Sequence, residues 1–291
     1  MITKAIGLAA LLAVVACGQG HAGGPEGHSI VAEIAQRRLS PQAAAAVDSV
    51  LGRGHSLASV ATWADDVREA RKSTTRWHFV DMPIASDRYD PATQCEASPE
   101  GDCVIAELER LRNDLRCAPD PAAKQEALKF AVHYLGDIHQ PLHTVADERG
   151  GNTIPVAIYM RGLACSQACK TPIASNFHAA WDIDLIHATV WGWGTYVDRL
   201  EAGWLKSAEA QQRGFEGGTP LDWALETHRA APRRPSGICC RRTACSTTPI
   251  TRRCCRCSTG SSVSRACGSH AFSMMPMHRT SVRCLAEPLR C

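Results

Sequence analysis

The sequence predicts an all-α fold, and three observations lead to this prediction. Apolar residues recur at helical spacing, most clearly at Val104, Ile105, Leu108, Leu111 and Leu115. Several segments open with a cap residue followed by proline, which is typical of helix starts. Alternating apolar and polar residues, the pattern of a half-buried strand, are scarce. With 291 residues, 45% of them hydrophobic, the chain is long enough to bury a sizeable core.

Cap residues and prolines mark where the helices begin and end. Asp120-Pro121 opens a helix whose apolar face runs from Leu128 to Ile138, and Pro141 ends or kinks that helix. The other predicted helices are Gly27–Leu39, one opened by Ser40-Pro41, one capped by Asp102 that carries the Val104–Leu115 pattern, and one from Asn176 to about Val190.

The first 22 residues are typical of an export signal. Lys4 supplies a positive charge, and residues 5–16 form an apolar run that is too short to span a bilayer. Gly20-His21-Ala22 offers a small-x-small cleavage site, so Gly23 would begin the mature protein. Alternatively, residues 14–17 resemble a lipoprotein signal ending at Cys17. We therefore expect a secreted or periplasmic protein with no membrane attachment, unless Cys17 is lipidated.

Residues 231–291 differ in character from the rest of the chain. They hold eleven Arg, nine Cys and a single acidic residue, Glu287, and they have no sustained period. Their cysteine spacing matches no paired zinc-knuckle pattern. Our preferred hypothesis is a reading-frame shift in a GC-rich gene, and a disulfide-rich module is the alternative. We expect this tail to lie outside the native fold, which leaves residues 23–230 as the functional domain.

The charge of the remaining chain limits how it can bind phosphates. Residues 1–230 hold 21 basic and 28 acidic residues, a formal charge of −7. This part therefore lacks the basic surface of a protein that holds nucleic acid by phosphate contacts alone. If the protein acts on phosphates, bound cations must supply much of the positive charge. Among its cysteines, Cys95 with Cys103 and Cys165 with Cys169 are plausible disulfides, although the connectivity cannot be deduced.

Two His–Asp pairs point to metal chemistry. His133 and Asp137, like His178 and Asp182, are four residues apart, so on a helix each pair lies on one face about 5–6 Å apart and can reach one metal ion. A single such pair is more often a simple hydrogen-bonded contact. Two pairs in apolar helices, with His143 following a proline turn, favour a metal cluster because burying so many polar groups is costly without an organising charge.

Other catalytic patterns are absent from the sequence. There is no Gly-x-Ser-x-Gly elbow and no glycine-rich loop that would cradle phosphate. Residues 150–152 predict a tight turn. Of the remaining histidines, His55, His187 and His228 are expected at the surface or in the core, and His139 beside the site or at the surface.

Six sequence blocks together resemble one known family. Over residues 23–230, and in the same order, the chain resembles the S1/P1 nucleases, which are trizinc nucleases and 3′-nucleotidases related in fold to zinc phospholipases C. The blocks that carry the resemblance are Gly24–His28, Trp63–Asp65, Trp77–Asp81, His133–His143, Arg149–Asn152 and Asn176–Asp182.

The resemblance implies a phospholipase C/nuclease-type helical domain with three zinc ions in a cleft. The mature N-terminal residue of the family, normally Trp, is a ligand through its α-amine and carbonyl, and Gly23 has that position here. The implied ligands are Asp65, His78 and His133 for one zinc, His143, His178 and Asp182 for a second, and His28 and Gly23 for the third, with Asp137 bridging within the cluster.

The resemblance also implies the substrate and the reaction. Phe79 would stack on an unpaired base, with Asp81 and Asn152 reading its edge, and Arg68 would lie near the scissile phosphate. Zinc lowers the pKa of bound water to about 7, so a zinc-activated hydroxide would attack phosphorus, with Asp65 orienting or deprotonating the water. The implied enzyme is an ester-bond hydrolase that cleaves single-stranded DNA or RNA and 3′-nucleotides and leaves 5′-phosphates. No stable protein partner is implied.

Two other functions fit the same motifs. A zinc phospholipase C would have a similar set of metal ligands, and a zinc-binding but inactive family member would be compatible with Gly23 and the tail. The family continues with amphipathic C-terminal helices, which we do not find after Ala230. We therefore expect reduced stability.

The first testable prediction concerns the mature N-terminus. We expect the exported protein to begin at Gly23, because only cleavage after Ala22 gives this residue the free amine that a ligand needs. N-terminal sequencing or intact mass of the exported protein measures this. A chain that begins at an acylated Cys17 would remove Gly23 as a ligand.

Overall fold

The fold was analysed in a computed structural model that describes residues 24–158, 172–187, 192–208, 210 and 217–232. Several predictions lie outside these residues: the export signal, Gly23, the Cys165–Cys169 pair and the tail from residue 233. Within them, the predicted all-α class is confirmed, since helices dominate and strand is confined to one short hairpin. The α-helices are α1 (Pro25–Gln36), α2 (Pro41–Leu51), α3 (Trp63–Arg68), α4 (Pro91–Gln94), α5 (Val104–Cys117), α6 (Pro121–Asp137), α7 (Phe177–Ala179), α8 (Leu185–His187), α9 (Trp193–Ala202) and α10 (Pro220–Ala230).

Shorter elements connect these helices near the centre of the fold. A π-helical turn, Ala180–Asp184, joins α7 to α8 without a break. The 3-10 helices are Ala58–Val60, Lys72–His78, Pro141–Thr144, Asp147–Arg149 and Trp204–Lys206.

Local sequence accounts for most helix starts. The Asp120 carboxylate accepts hydrogen bonds from the backbone N–H groups of Ala122 and Ala123, and Pro121 fits the first turn, as predicted. Ser40 caps α2 through Ala43 in the same way. The predicted cap at Asp102 is wrong by one residue. Cys103 occupies the cap position, and the Asp102 carboxylate instead accepts from the Cys103 N–H and pairs with Arg110.

The other observed helix boundaries differ from the predicted ones by a few residues. The predicted first helix is observed as α1, which begins at Pro25 and ends at Gln36. The predicted helix after Asn176 begins there: the Asn176 side chain accepts from the Ala179 N–H, and the helix continues through the π-helical turn to His187, the last residue described in this segment. The backbone of α6 ends at Asp137, four residues before Pro141.

The main core lies between α5 and α6. Leu108 and Leu111 of α5 pack with Phe130 and Tyr134 of α6, and Trp223 of α10 closes the same cluster. Burying a side chain of this size contributes roughly 1.5–3 kcal/mol. His133 and Asp137 belong to α6, so packing of α6 against α5 positions the helix that carries them.

One hairpin was missed in the sequence. Strands β1 (Pro155–Ile158) and β2 (Ile173–Asn176) pair antiparallel, with Pro155 opposite Asn176 and Ile158 opposite Ile173. Val156 and Ile158 pack on Phe177 and Leu142. Each strand is four residues long, too short for alternation to be recognised against background. The hairpin brings Asn176, and with it α7, beside the loop at residues 150–154.

The predicted Cys95–Cys103 disulfide is confirmed. Its Cα atoms lie 5.0 Å apart, within the normal range. The bridged loop also holds the segment before His78, because the Arg76 N–H donates to the Glu100 carbonyl and the Val104 N–H to the Phe79 carbonyl. No helix within the described residues combines the length and apolar character needed to cross a bilayer.

The last described helix, α10, packs against the core. Trp223 and Ala224 of α10 are buried, and the His228 ring lies 2.7 Å from the Thr144 carbonyl oxygen through Nδ1. His228 is therefore a core residue, one of the two locations predicted for it. Ala231 is also buried, so the folded unit extends just beyond the predicted boundary at 230.

These contacts generate a prediction about the tail. We expect deletion of residues 233–291 to leave the melting transition unchanged, because that segment carries none of the sequence signals of a packed element. Deletion from residue 219 onward, which also removes α10, should cost about 3–5 kcal/mol or more, as expected for losing a buried tryptophan. Chemical denaturation of both truncations measures this. A large loss of stability in the shorter deletion would mean that the tail belongs to the fold.

Candidate metal centre

Three groups of imidazole and carboxylate side chains lie together in the described structure. Within each group one ligand atom per residue lies within 4.8 Å of the others, and nearly all members are buried. The groups bring together all eight predicted side-chain ligands, whereas Gly23 lies outside the described residues. Their members are His28, His133 and Asp137; Asp65, His78 and His133; and His143, His178 and Asp182.

The two predicted His–Asp pairs form close contacts, as expected from their spacing of four residues. His133 Nε2 lies 3.2 Å from Asp137 Oδ2 on α6. His178 Nε2 lies 3.1 Å from Asp182 Oδ2, across the junction of α7 and the π-helical turn. Wide helical turns of this kind are frequent at functional sites because they reorient side chains.

Asp137 links the groups into one cluster. Its carboxylate oxygens lie 2.9 Å from His78 Nδ1, 3.4 Å from His28 Nε2 and 3.3 Å from His143 Nδ1. The last contact joins the group that contains Asp182 to the other two. Burial alone would raise the pKa of Asp137, but the attraction of His133 and His143 outweighs burial and holds its pKa well below the usual range.

Backbone carbonyls orient three of the imidazoles. The Nδ1 atom lies 2.7 Å from the Ala61 oxygen in His133, 2.9 Å from the His78 oxygen in His143, and 2.9 Å from the Gly150 oxygen in His178. A carbonyl only accepts, so each Nδ1 carries a proton, and Nε2 is the nitrogen left to face the cluster and to bind a cation once it is deprotonated. This arrangement is usual for metal-binding histidines.

The segment around His78 and the segment around His143 hold each other in place. While His143 Nδ1 donates to the His78 carbonyl, the Val80 N–H donates back to the His143 carbonyl at 2.8 Å. The N-terminal end of α1 is anchored similarly, because the Gly24 N–H donates to the Asp182 carbonyl at 3.0 Å. Ligands that are distant in sequence are therefore fixed by backbone contacts.

Several buried atoms of the cluster have no hydrogen-bond partner among the described residues. Leaving such groups unsatisfied costs about 1–3 kcal/mol each, and more for charged groups. A cation at the centre would satisfy them at once, so the side chains fit a metal site. The atoms are both ring nitrogens of His28, Asp65 Oδ1, His78 Nε2, Asp137 Oδ1, His143 Nε2 and Asp182 Oδ2.

The protonation states are compatible with cation binding. Burial lowers the pKa of His78 to about 3, so this imidazole is neutral. Burial also raises the pKa of Asp65. For His143, Asp137 and Asp182 outweigh the effect of burial and raise the pKa to about 9. A cation bound there at neutral pH must therefore displace a proton from His143.

The other predicted residues lie around the cluster. Arg68 Nη1 is 3.7 Å from Asp65 Oδ1, and its side chain is largely buried. Phe79 and Asp81 follow His78 directly, both half-buried, and burial raises the pKa of Asp81 although Arg76 opposes this. Asn152 is exposed, and its amide donates to the Arg149 carbonyl.

A left-handed turn presents the Gly150 carbonyl to His178. Four successive residues, 148–151, have positive φ angles between 51° and 83°. Such a run is rare for L-residues and is costly at the two that are not glycine. At Gly150 a Cβ atom would lie 2.7 Å from the Leu142 oxygen and 3.2 Å from His178 Nδ1, so glycine is required. The predicted tight turn is thus part of the ligand framework.

Two residues that contact ligands were not singled out in the sequence. Gly136 lies against His28, and a Cβ atom at Gly136 would be 2.7 Å from His28 Nδ1. Gln140 donates to the Asp182 carboxylate from the loop before Pro141. Both lie within the His133–His143 block, but only the folded contacts reveal their partners.

Comparisons with known proteins agree with this site. The family model described as S1/P1 Nuclease matches residues 24–236. Endonuclease 2 of Arabidopsis thaliana is 35% identical over 176 residues, 57% of each chain. Nuclease PA3 of a Penicillium species is 33% identical over 225 residues, 70% of this chain and 75% of the relative. Nuclease P1 of Penicillium citrinum is 33% identical over 201 residues, 62% of this chain and 67% of the relative.

The matched part of the chain thus spans from just over half to three quarters of the length of these relatives. The relatives are named as nucleases or endonucleases, which are hydrolases acting on ester bonds. Because the family model covers well over half of the sequence, including every described ligand candidate, the chain belongs to the S1/P1 nuclease family.

Proposed function

We propose that the protein is a secreted or periplasmic trizinc phosphodiesterase that hydrolyses single-stranded DNA or RNA and 3′-nucleotides and leaves 5′-phosphates. The observation that carries this proposal is the convergence of eight imidazole and carboxylate side chains on one centre with unsatisfied buried donor atoms. Membership of a nuclease family supports the reaction class.

The donor set favours zinc over harder cations. Imidazole nitrogens make up most of each group, whereas calcium and magnesium prefer oxygen ligands. On this proposal Asp65, His78 and His133 hold one zinc and His143, His178 and Asp182 a second. The third is held by His28 and Gly23, with Asp137 shared. Bound zinc would supply a nucleophile at neutral pH and stabilise charge on phosphate oxygens.

The chain's own groups have separate tasks around the phosphate. Asp65 Oδ1 is buried, has no hydrogen-bond partner among the described residues and belongs to a carboxyl whose pKa is raised by burial, which suits accepting a proton from the attacking water. Arg68, whose Nη1 lies 3.7 Å from Asp65 Oδ1, would donate N–H groups to a phosphate oxygen as its charge increases.

We assign substrate selection to Phe79, Asp81 and Asn152. Phe79 would stack on a base, which requires the base to be unpaired and tolerates any base identity. Asp81 and Asn152 would hydrogen-bond to the edge of that base. Because burial raises the pKa of Asp81, its carboxyl retains a proton that it can donate up to a higher pH than an exposed aspartate would.

Chelation tests the proposal directly. We expect the purified mature protein, cleaved after Ala22, to contain about three zinc ions per chain and to cleave single-stranded DNA far faster than a duplex of the same sequence. Treatment with a chelator should reduce cleavage to background, and added zinc should restore it.

Elemental analysis and a gel assay of the cleaved strands measure these outcomes, with 3′-nucleotide dephosphorylation as a second substrate. Release of phosphocholine from lipid without any cleavage of DNA would instead identify a phospholipase C. Zinc binding without turnover of either substrate would identify an inactive family member.

A second prediction uses Gly136. We expect Gly136→Ala to displace the His28 ring, because the new Cβ would lie 2.7 Å from His28 Nδ1. The zinc affinity of the group that contains His28 should fall by about 10- to 100-fold, the usual cost of disturbing a ligand's support. Competition against a chelating dye measures the affinity.

Gly194→Ala is the matched control for this variant. Gly194 is also a helical glycine, but nothing lies within 4 Å of a Cβ atom at that position. Both changes favour the helix by up to about 1 kcal/mol. The proposed role of His28 is wrong if the two variants bind zinc equally well.

A further inference from the structure

The Gln140 side chain is buried and forms two hydrogen bonds, one to the Asp182 carboxylate and one to the Leu142 backbone N–H. The proposed function gives this residue no task. It lies in the loop between α6 and the 3-10 helix at Pro141–Thr144, and it is 3% exposed. We propose that Gln140 is a positioning residue that fixes the Asp182 carboxylate and thereby sets the cation affinity of the group formed by His143, His178 and Asp182. This inference rests on the proposed function, because it assumes that the group binds a cation.

The chemistry of its two partners determines how the Gln140 amide is oriented. The Leu142 backbone N–H lies 2.5 Å from Gln140 Oε1, and this group only donates. The Asp182 Oδ1 atom lies 2.5 Å from Gln140 Nε2, and an ionised carboxylate only accepts. The Leu142 N–H by itself requires Oε1 on its side of the amide, which turns Nε2 toward Asp182. Only one orientation of the amide satisfies both partners.

The contact restricts which oxygen Asp182 offers to a cation. With Oδ1 held by Gln140, rotation of the carboxylate would break a buried hydrogen bond to a charged group. Within the described part of the chain, the other oxygen, Oδ2, forms an ion-pair contact of 3.1 Å with His178 Nε2 and accepts no further hydrogen bond. Asp182 is thus fixed with one oxygen presented beside the neighbouring imidazole.

The same side chain also orders a second member of the group. By accepting from the Leu142 N–H, Gln140 caps the first turn of the 3-10 helix that carries His143. A single neutral residue therefore sets the relative positions of Asp182 and His143, which come from segments about 40 residues apart in sequence. It does so without adding charge to the centre.

Gln140→Met tests this role. The methionine side chain is similar in length and removes both hydrogen bonds. Zinc-loaded mature protein that begins at Gly23 would be titrated with a competing chelator, and the loss of each zinc followed. We expect one of the three zinc ions to be released at an affinity lowered by about 10- to 100-fold, with the other two unchanged. Cobalt-substituted protein should show a changed visible spectrum, which reports ligand geometry at that ion.

Gln36→Met is the matched control. Gln36 also accepts from a backbone N–H, that of Leu57 at 3.0 Å, but it contacts none of the eight ligand side chains by a hydrogen bond in the described residues. It should leave all three zinc affinities unchanged. If Gln140→Met fails to fold, Gln140→Glu replaces it. Glutamate retains the acceptor for Leu142 and turns an oxygen toward Asp182 Oδ1, so the affinity for one zinc should again fall.

The outcomes separate this inference from the proposed function. Wild-type protein that binds no zinc would overturn the proposed function whatever Gln140 does. Wild-type protein with three zinc ions, and a folded Gln140 variant with unchanged or higher affinity at all three, would overturn only the role of Gln140. An equal loss at all three ions would also overturn it, because the effect would then be a general loss of structure.

Discussion

One buried carboxylate, that of Asp137, is the constraint on which the structure depends. It is 1% exposed and lies within 2.9–3.4 Å of ring nitrogens of His28, His78, His133 and His143. Burying an isolated carboxylate costs several kcal/mol, and only close positive or polar partners offset that cost. The fold supplies these partners from α1, α6 and two 3-10 helices, so elements that are distant in sequence must meet at this point.

Contacts with other parts of the chain hold the imidazoles around Asp137 in fixed orientations. His78 has an edge-on aromatic contact with Tyr134, which stacks in turn on Phe130 in the main core. Three of the other imidazoles, those of His133, His143 and His178, are held through Nδ1 by backbone carbonyls, which cannot move without unfolding a helix end or a turn. Stability and site geometry therefore share the same contacts. This is why the α5–α6 core and the metal centre are expected to be lost together on unfolding.

A structural feature of this protein can be predicted from the sequence where neighbouring residues determine it. Helices with strong caps, such as α2 and α6, are specified by neighbouring residues, and the His–Asp pairs are recognisable because four residues on a helix fix a distance. The hairpin, the π-helical turn and the roles of Gly136 and Gln140 have no such local signal. Their geometry is set by partners elsewhere in the chain, such as His28 for Gly136 and Asp182 for Gln140.

Charge gives the single-strand preference a second physical origin besides base stacking. The three aspartates of the cluster and three divalent cations would together leave a charge of about +3 at one point. Residues 1–230 carry −7, of which these three aspartates supply −3, so the rest of that segment carries −4. At physiological salt such a point attracts phosphates only within about 8 Å, while the surrounding acidic surface repels more distant ones. A rigid duplex brings many phosphates against that surface at once, and this body has no basic stripe to neutralise them. A flexible single strand can offer one phosphodiester to the cations and direct the rest of its charge into solvent.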